Sequence, residues 1–568
     1  VLGGPAPRGE PSAGPVSGSD RVGDDGHRAP LPSAGPAVAP QPPGRVWLIP
    51  LAVLVVGSFM SVLDTSIVNV AIPKMQFELN AAPDDVQWIA TAYTLALGVV
   101  VPLTTWLAQR FGPGRLYAYS LLGFALTSAL CGLAWDLPSM VVLRVLQAVP
   151  GGVLPVISLT LLLQTVPTGS LGAAMGLYGL GIVVAPAVGP VLGGYFVEYA
   201  DWRMIFFVNV PVGVLGMVAA FAVLDQAKPT TWPGFDFWGF ITVAYGLFAL
   251  LLAFAKGQKW GWTSYPILIL FVSGLLSLAT WVFIELEVEN PLIDVRVFTA
   301  WPYVNSLVLA GVSMAGLFSA LFFIPQYLQV VQGMQALDAG LVMLPAALVM
   351  LVMMPVAGRI YDLVGPRWPA VIGLLLMAFA SYRFAQITPD TPRPHIMWAL
   401  AVRNFGSSLA MMPMMTAGLA ALKPAFKSAG SAMNNIMQRL VGAVAVAVFS
   451  GLNTFAVAQL TADRGALTPI GSPAPVQYSA LAFSQPNALS PVYLETHPTA
   501  LLPIYQQTDP AALLSMYAQL QRHIVTRTYA NGFYVVSILC LVGTGLALLL
   551  RSGKPSAAGG GQPHVVEG

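Results

Sequence analysis

The chain has 568 residues, 56% hydrophobic and only 9% charged, with a net charge of +2 and a mean hydropathy of +0.73. A soluble globular protein carries about 25% charged residues, so this composition excludes one and reads as an all-α polytopic membrane protein. The near-neutral balance says little about partners. Cys131 and Cys540 each fall in an apolar run, which suits small core residues and neither a disulfide framework nor a metal site.

In chain order, residues 1–45 are rich in Pro, Gly, Ala and Ser, without an apolar core. They read as a disordered cytoplasmic tail, not a signal peptide. From Val46 onward, runs of about 20 apolar residues bounded by polar or Gly/Pro punctuation predict membrane helices. They fall at about 47–72, 86–107, 115–135, 138–163, 170–197, 203–224, 237–256, 266–285, 303–330, 338–358, 368–387, 395–422, 429–458 and 528–551. Loops on one side carry Arg110, Arg115, Lys228, Arg296, Arg359, Arg367, Lys423 and Lys427, joined by Arg45 and Arg551 at the ends. The opposite short loops carry fewer: Lys74, Lys256, Lys259 and Arg393, with Arg203 at a helix edge. The positive-inside bias places both termini in the cytoplasm. Residues 459–527 then form an extracytoplasmic loop, whose last part, "DPAALLSMYAQLQRHIVTRTY", has helical spacing suited to a membrane face or to capping an outer opening.

Inside the first run, "SFMSVLDTSIVNVAIP" holds Asp64. A lone carboxylate in hydrocarbon costs roughly 2.5–3.5 kcal/mol on insertion scales, so a functional role is expected of it. Placed in the outer half of the first helix, it is reachable by a proton from outside, with Thr65, Ser66 and Asn69 adding local polarity. A structural hydrogen-bonded Asp is the plain alternative.

Two turns repeat. "PLTTWLAQRFGP" at 102–113 and "PVAGRIYDLVGP" at 355–366 share Pro and Gly-Pro positions, with Pro102 and Pro355 253 residues apart. "RVLQAVPGGVLP" from Arg144 aligns loosely with "RNFGSSLAMMP" from Arg403. Two matches in one order indicate a duplicated bundle. Six helices need about 180–200 residues at about 20 apolar residues per span, so the excess fits two inserted helices. The expected layout is six, two and six: a first bundle over 46–224, an insertion over 225–300, a second bundle over 301–551 and a cytoplasmic tail over 552–568.

These motifs resemble the major facilitator superfamily, specifically its fourteen-helix drug/proton antiporters of the EmrB/QacA type. "LDTSIVNVAIP" resembles the family's LDxTIVNVALP. "WLAQRFGPGR" occupies the place of the GxLaDRxGRk loop, and "RVLQAVPGG" that of RxxQGxgg. "APAVGPVLGG" resembles the antiporter motif GxxxGPxxGG, followed by the similar "WRMIFFVNVPVG". The resemblance covers about Val46 to Arg551, weakly over 459–527. The first loop departs from the pattern, with Thr105 and Gln109 at the usual Gly and Asp positions while Arg110 and Gly112 are kept. The second copy, with Gly358, Asp362, Gly365 and Arg367, matches better. A charged inner latch is therefore expected of the second loop, and the first has an uncharged Gln109. Ala148 stands where the helix 4 motif usually has Gly.

Gly189, Pro190, Gly193 and Gly194 give helix 5 a smooth, bent face for close packing, and the resemblance adds a role in sealing one side of a rocking bundle. Arg144 has two readings: a snorkelling Arg at a helix end, or a buried charge that tunes a carboxylate, which the resemblance favours. Arg403 is its repeat mate. Arg439 lies too deep to snorkel and, with Asn434, Asn435 and Gln438, makes a polar face that points to protein or water. Met411, Met412 and Met415 around Pro413 suit either an adaptable apolar pocket or ordinary packing. Trp88 and Tyr93 suit stacking on a flat or cationic ligand, and Trp88 equally an interface anchor.

No phosphate-cradling loop, HExxH pair or basic run with interleaved aromatics is present in the sequence. No enzyme activity, metal, cofactor or nucleic-acid partner is expected. The reading is proton-coupled efflux of hydrophobic, amphipathic or cationic compounds across a bacterial plasma membrane, with Asp64 as the proton carrier. Lipid, protons and small hydrophobic substrates are the expected partners, and the outer loop is a place for an extracytoplasmic adaptor. Export of an endogenous lipid, siderophore or antibiotic, or a sensor or scaffold on a transporter fold, are the alternatives.

Overall fold

A computed structural model describes residues 47–226, 234–289, 291–467 and 510–550. The expected N-terminal tail, Lys228, the 468–509 part of the outer loop and the tail from Arg551 lie outside the described residues. Among the described residues there is helix and no strand.

Each expected segment falls on a helix. These are α1 (Leu48–Glu78), α2 (Pro83–Val100, then Leu103–Phe111), α3 (Pro113–Gly132), α4 (Leu137–Thr165), α5 (Leu171–Tyr199), α6 (Met204–Val223) and α7 (Phe237–Trp260). There follow α8 (Tyr265–Glu287), α9 (Trp301–Gln326, extended by a π-turn over Tyr327–Val331), α10 (Ala336–Val364), α11 (Arg367–Phe384), α12 (Arg393–Ala420), α13 (Lys427–Leu467) and α14 (Pro510–Ala547). The two parts of α2 meet at 59°, where Pro102 lacks the N–H that would continue the ladder. Among the described residues nine helices are long and apolar enough to cross a membrane, ten with the bent α2. The chain is a multi-pass membrane protein. The helices that fall short of that measure include α12, which holds Arg403 and Asn404, and α13, which holds Asn434, Asn435, Gln438 and Arg439.

Two elements differ from expectation. α1 runs on through Pro73 to Glu78, so Asp64 sits near its middle and not in its outer half. The added turn is tied down by a Lys74–Glu78 pair at 3.6 Å and by the Trp202 indole, which donates to Glu78 at 2.7 Å. The helical stretch expected to lie on the membrane face is instead the first part of one continuous helix, α14.

The pattern of helix contacts in α1–α6 recurs in α9–α14. α1 packs on α4, α5 and α6, as α9 packs on α12, α13 and α14. α4 packs on α2 and α3, as α12 packs on α10 and α11. α3 meets α6, as α11 meets α14. Gly112 and Gly365 end α2 and α10 with φ of 81° and 86°, each followed by a Pro, Pro113 as the first residue of α3 and Pro366 as the residue just before α11. Only glycine adopts that backbone without strain.

α7 lies against its hairpin partner α8 and also against both α2 and α13. Lys259 on α7 pairs with Asp84 at 2.6 Å, and the Lys256 ammonium sits 4.4 Å over the Trp88 ring. α5 and α10 approach backbone to backbone: a Cβ on Gly358 would collide with the Gly172 carbonyl, and Gly176 meets Met354 and Pro355.

Candidate functional site

The carboxylate of Asp64 is enclosed, 0% exposed, between α1, α4 and α6. Arg144 Nη1, from α4, lies 2.5 Å from Asp64 Oδ2. One turn along α4, Gln147 donates Nε2–H to Asp64 Oδ1 at 3.1 Å and accepts from Arg144 at 2.6 Å. Asn209 at the start of the second part of α6 donates to Asp64 Oδ1 at 3.5 Å and to Ser128 Oγ on α3 at 3.2 Å. Arg144 is 1% exposed. Its guanidinium lies 3.8 Å over the Tyr93 ring of α2, and its Nε donates to the Ile89 carbonyl at 3.4 Å. The charge is thus neutralised by a carboxylate, an amide and an aromatic face, all within one bundle.

The sequence placed Asp64 and Arg144 as partners, and the structure brings them together. It did not single out Gln147, Asn209 or Ser128. Gln147 carried a signal, since a residue three after Arg144 shares its helix face. Asn209 lies in the family-like stretch "WRMIFFVNVPVG", whereas Ser128 carried no signal beyond being polar in an apolar run. Tyr93, expected to stack on a ligand, lies under the Arg144 guanidinium instead, and its ring is fully buried. Trp88 is half-buried against Lys256 at the start of α2.

The same stretch of α1 does a second job. A proline leaves the carbonyl four residues earlier without its helical donor, and an unsatisfied carbonyl in lipid costs several kcal/mol. Pro155 frees the Gly151 carbonyl, to which Ser61 Oγ donates at 2.9 Å. Pro190 frees the Pro186 carbonyl, to which Ser66 Oγ donates at 3.2 Å. Ser58 reaches the Tyr178 hydroxyl at 2.9 Å. Gly189 and Gly193 of α5 lie against Ser66 and Ile67, where a Cβ would crowd them, while Gly194 has open space around its Cβ direction. The antiporter-like glycines thus pack α5 on α1.

At the end of the molecule that carries the two repeated turns, Asp362 on α10 accepts from the backbone N–H groups of Gly172 at 2.8 Å and Ala173 at 2.9 Å. These belong to the first turn of α5, where unpaired N–H groups and the helix dipole favour an anion. Lys427 at the start of α13 donates to the Leu163 carbonyl in the last turn of α4 at 3.1 Å. Gln109, which takes the place of Asp362 in the first turn, is exposed. Arg110 and Arg367 are half-buried at this end, the latter with its Nε buried.

In α9–α14 the expected residues are spread out. Met412 reaches Gly179 of α5 beside Met354, and Met412 and Met415 belong to the apolar core shared with α4 and α5. Met411 is buried too. On α13, Asn434 is buried with its Nδ2 unpartnered, and Gln438 and Arg439 are half-buried, with Arg439 within electrostatic reach of Tyr93. Arg403 is fully buried inside α12, away from Asp64.

The profile of the Major Facilitator Superfamily matches residues 54–446. The chain is 35% identical over 404 residues, 71% of its length, to 76% of YhcA of Bacillus subtilis, described as an uncharacterized MFS-type transporter. It is 28% identical over 452 residues, 78% of its length, to 88% of the multidrug export protein EmrB of Escherichia coli. Among solved structures, the proton:xylose symporter XylE superposes with a TM-score of 0.56 at 10% identity, over 90% of this chain and 97% of that one, a likeness of fold alone.

Proposed function

The chain belongs to the Major Facilitator Superfamily, and on that premise we propose that it exports hydrophobic or amphipathic compounds in exchange for protons, across a bacterial inner membrane, by alternating access. In this reading α1–α6 and α9–α14 are the two moving bundles, the fourteen helices all span, and both termini are cytoplasmic. The multidrug relatives support efflux. The observation that carries proton coupling is the Asp64 carboxylate, sealed in the middle of α1 and paired with Arg144 at 2.5 Å.

The chemistry follows from that pair. A buried carboxylate and guanidinium together carry no net charge, so the apolar surroundings tolerate them. Adding a proton to Asp64 removes the anion and leaves Arg144 as an uncompensated cation. Arg144 then relies on Gln147 of its own helix, which accepts from it at 2.6 Å, and on two contacts with a neighbouring helix, the Tyr93 ring and the Ile89 carbonyl. These two are on α2, the helix that also meets α7 and α13. Protonation therefore shifts the pull on α2 relative to α1 and biases one bundle arrangement over the other. Deprotonation restores the pair. Opening toward the cytoplasm requires Asp362 to leave the first turn of α5, so that contact is the inner latch.

The test is transport by purified protein in proteoliposomes under an imposed pH gradient, comparing wild type with Asp64→Asn. The variant is expected to insert and to bind substrate but not to move it in response to the gradient. Gradient-driven efflux at the wild-type rate would remove Asp64 from the coupling path.

A further inference from the structure

Arg403 of α12 is 0% exposed, and none of its Nε, Nη1 and Nη2 atoms has a hydrogen-bond partner in the protein. A guanidinium stays protonated, so a full positive charge sits in an enclosed place. The penalty for an unpaired buried charge is several kcal/mol. Its repeat mate Arg144 meets that demand with Asp64. Arg403 has no such recourse: α9, α11, α12 and α14 contain no Asp or Glu, and on α10, which also packs on α12, Asp338 is exposed and Asp362 is held at the first turn of α5. Where Asp64 stands beside Arg144, Gly316 stands beside Arg403: a Cβ there would lie 3.6 Å from Arg403 Nη2.

Other polar groups converge on the same level of the bundle. α11 runs antiparallel to α12, with Gly373 against Gly406 and Ala410. Ser381, two turns beyond Gly373, therefore lies level with Leu400, one turn before Arg403 and on the turn over which a helical arginine side chain leans. α9 also runs antiparallel to α12, with Gly316 near Arg403 and Ser306 near Gly418. Ser313 therefore lies level with Ser407, which is one turn from Arg403 on the same face. Ser313, Ser381 and Ser407 are each 0% exposed, and each hydroxyl lacks a partner. Ser381 is also the repeat counterpart of Ser128, which in the first bundle accepts from Asn209. The result is one cation and three donor hydroxyls with nothing to donate to.

We propose that Arg403 with Ser313, Ser381 and Ser407 forms a buried binding site for a small monovalent inorganic anion, chloride in kind, which takes the place in the second bundle that the Asp64 carboxylate holds in the first. A larger carboxylate-bearing solute does not fit an enclosed guanidinium. The anion is structural and stays within α9–α14, so the inference stands apart from the proton-coupled export proposed above. The rival neutraliser is Cys540 of α14, which lies within electrostatic reach of Arg403.

The experiment is thermal unfolding of the purified full chain in detergent, followed by intrinsic tryptophan fluorescence. Sodium chloride is titrated against sodium gluconate at constant ionic strength. A saturable rise of the midpoint with chloride is expected for wild type and for Cys540→Ala, and no rise for Arg403→Met. Gly316→Asp supplies a carboxylate, and the atom its Cβ meets most closely is the mobile end of Met377. This variant is expected to show in gluconate the midpoint that wild type reaches in chloride, with no further response. A wild-type midpoint identical in the two salts overturns the proposal, and a chloride response that appears only in Cys540→Ala assigns the neutralisation to the thiol. A chloride response unchanged in Gly316→Asp and Arg403→Met places the anion elsewhere and equally overturns it.

Discussion

Two arginines occupy matching places in α4 and α12, and their surroundings are opposite in kind. Around Arg144 the first bundle assembles a carboxylate, one amide and an aromatic ring, each within bonding or stacking distance. Around Arg403 the second bundle places glycines and hydroxyls and no carboxylate. The repeat thus preserved the cation and the helix pairings while the titratable partner was kept in one half only. On the proposed mechanism, one carboxylate for these two buried arginines confines the proton chemistry to the first bundle. The second bundle is left to hold charge constant.

The sharpest way to break that contrast is Asp64→Asn. Gradient-driven efflux is expected to fall by at least about 100-fold, equivalent to about 2.7 kcal/mol, measured as initial rates in proteoliposomes. A comparable loss on Gly316→Asp, with Asp64 intact, would show that the second bundle also takes part in coupling.

Next in size is stability. Removing one member of a buried ion pair costs about 3–5 kcal/mol, so Arg144→Met is expected to lower the unfolding midpoint strongly. Combining it with Asp64→Asn is expected to recover much of the loss. Arg403→Met removes a cation that has no protein counter-ion, so in gluconate its midpoint is expected to stay level or rise. Equal losses for the two arginine variants would erase the distinction between the bundles.

Smaller effects come from α1. Ser61→Ala leaves the Gly151 carbonyl without its donor, at a cost of about 1–3 kcal/mol, read from the same unfolding curves. Ser66→Ala acts on the Pro186 carbonyl in the same way. The least expected effect is at the inner end. Asp362→Asn keeps the shape but removes the charge from the first turn of α5, a loss of about 0.3–1 kcal/mol. It is expected to raise labelling of a cysteine placed at Met354, which is buried against Gly176 of α5. Gln109→Asp adds the missing charge to the first turn and is expected to slow that labelling. No change in either variant would remove the charge on Asp362 as a latch.

Much of this was legible in the chain. Apolar run length put each expected span on a described helix, because a bilayer fixes how many residues a span needs. The cost of a carboxylate in hydrocarbon marked Asp64, and the resemblance of the helix 4 motif favoured Arg144 as its partner. The matched Gly-Pro turns announced the repeat, and their glycines share one left-handed backbone. The contacts of Asn209 and Ser128 were not legible. They depend on how α3 and α6 are rotated about their axes, which joins residues 81 and 145 positions apart. The end of α1 was missed because Pro73 and Lys74 read as a stop, whereas the Trp202 bond to Glu78 carries the helix onward. The proline-freed carbonyls were readable in principle, since each lies four residues before its proline. That Ser61 and Ser66 would supply the donors required the packing of α1 on α4 and α5.

Those two serines also set a schedule for synthesis. Ser61 precedes the carbonyl it serves by 90 residues and Ser66 by 120. At about 5–20 residues per second, each acceptor emerges from the ribosome seconds after its donor has reached the membrane. α4 and α5 therefore arrive with a broken rung facing lipid, and α1 is already in place to mend it. α1, which enters the bilayer before them, acts as a template for the two that bend, which ties correct insertion of α4 and α5 to α1 staying near the translocon until they appear.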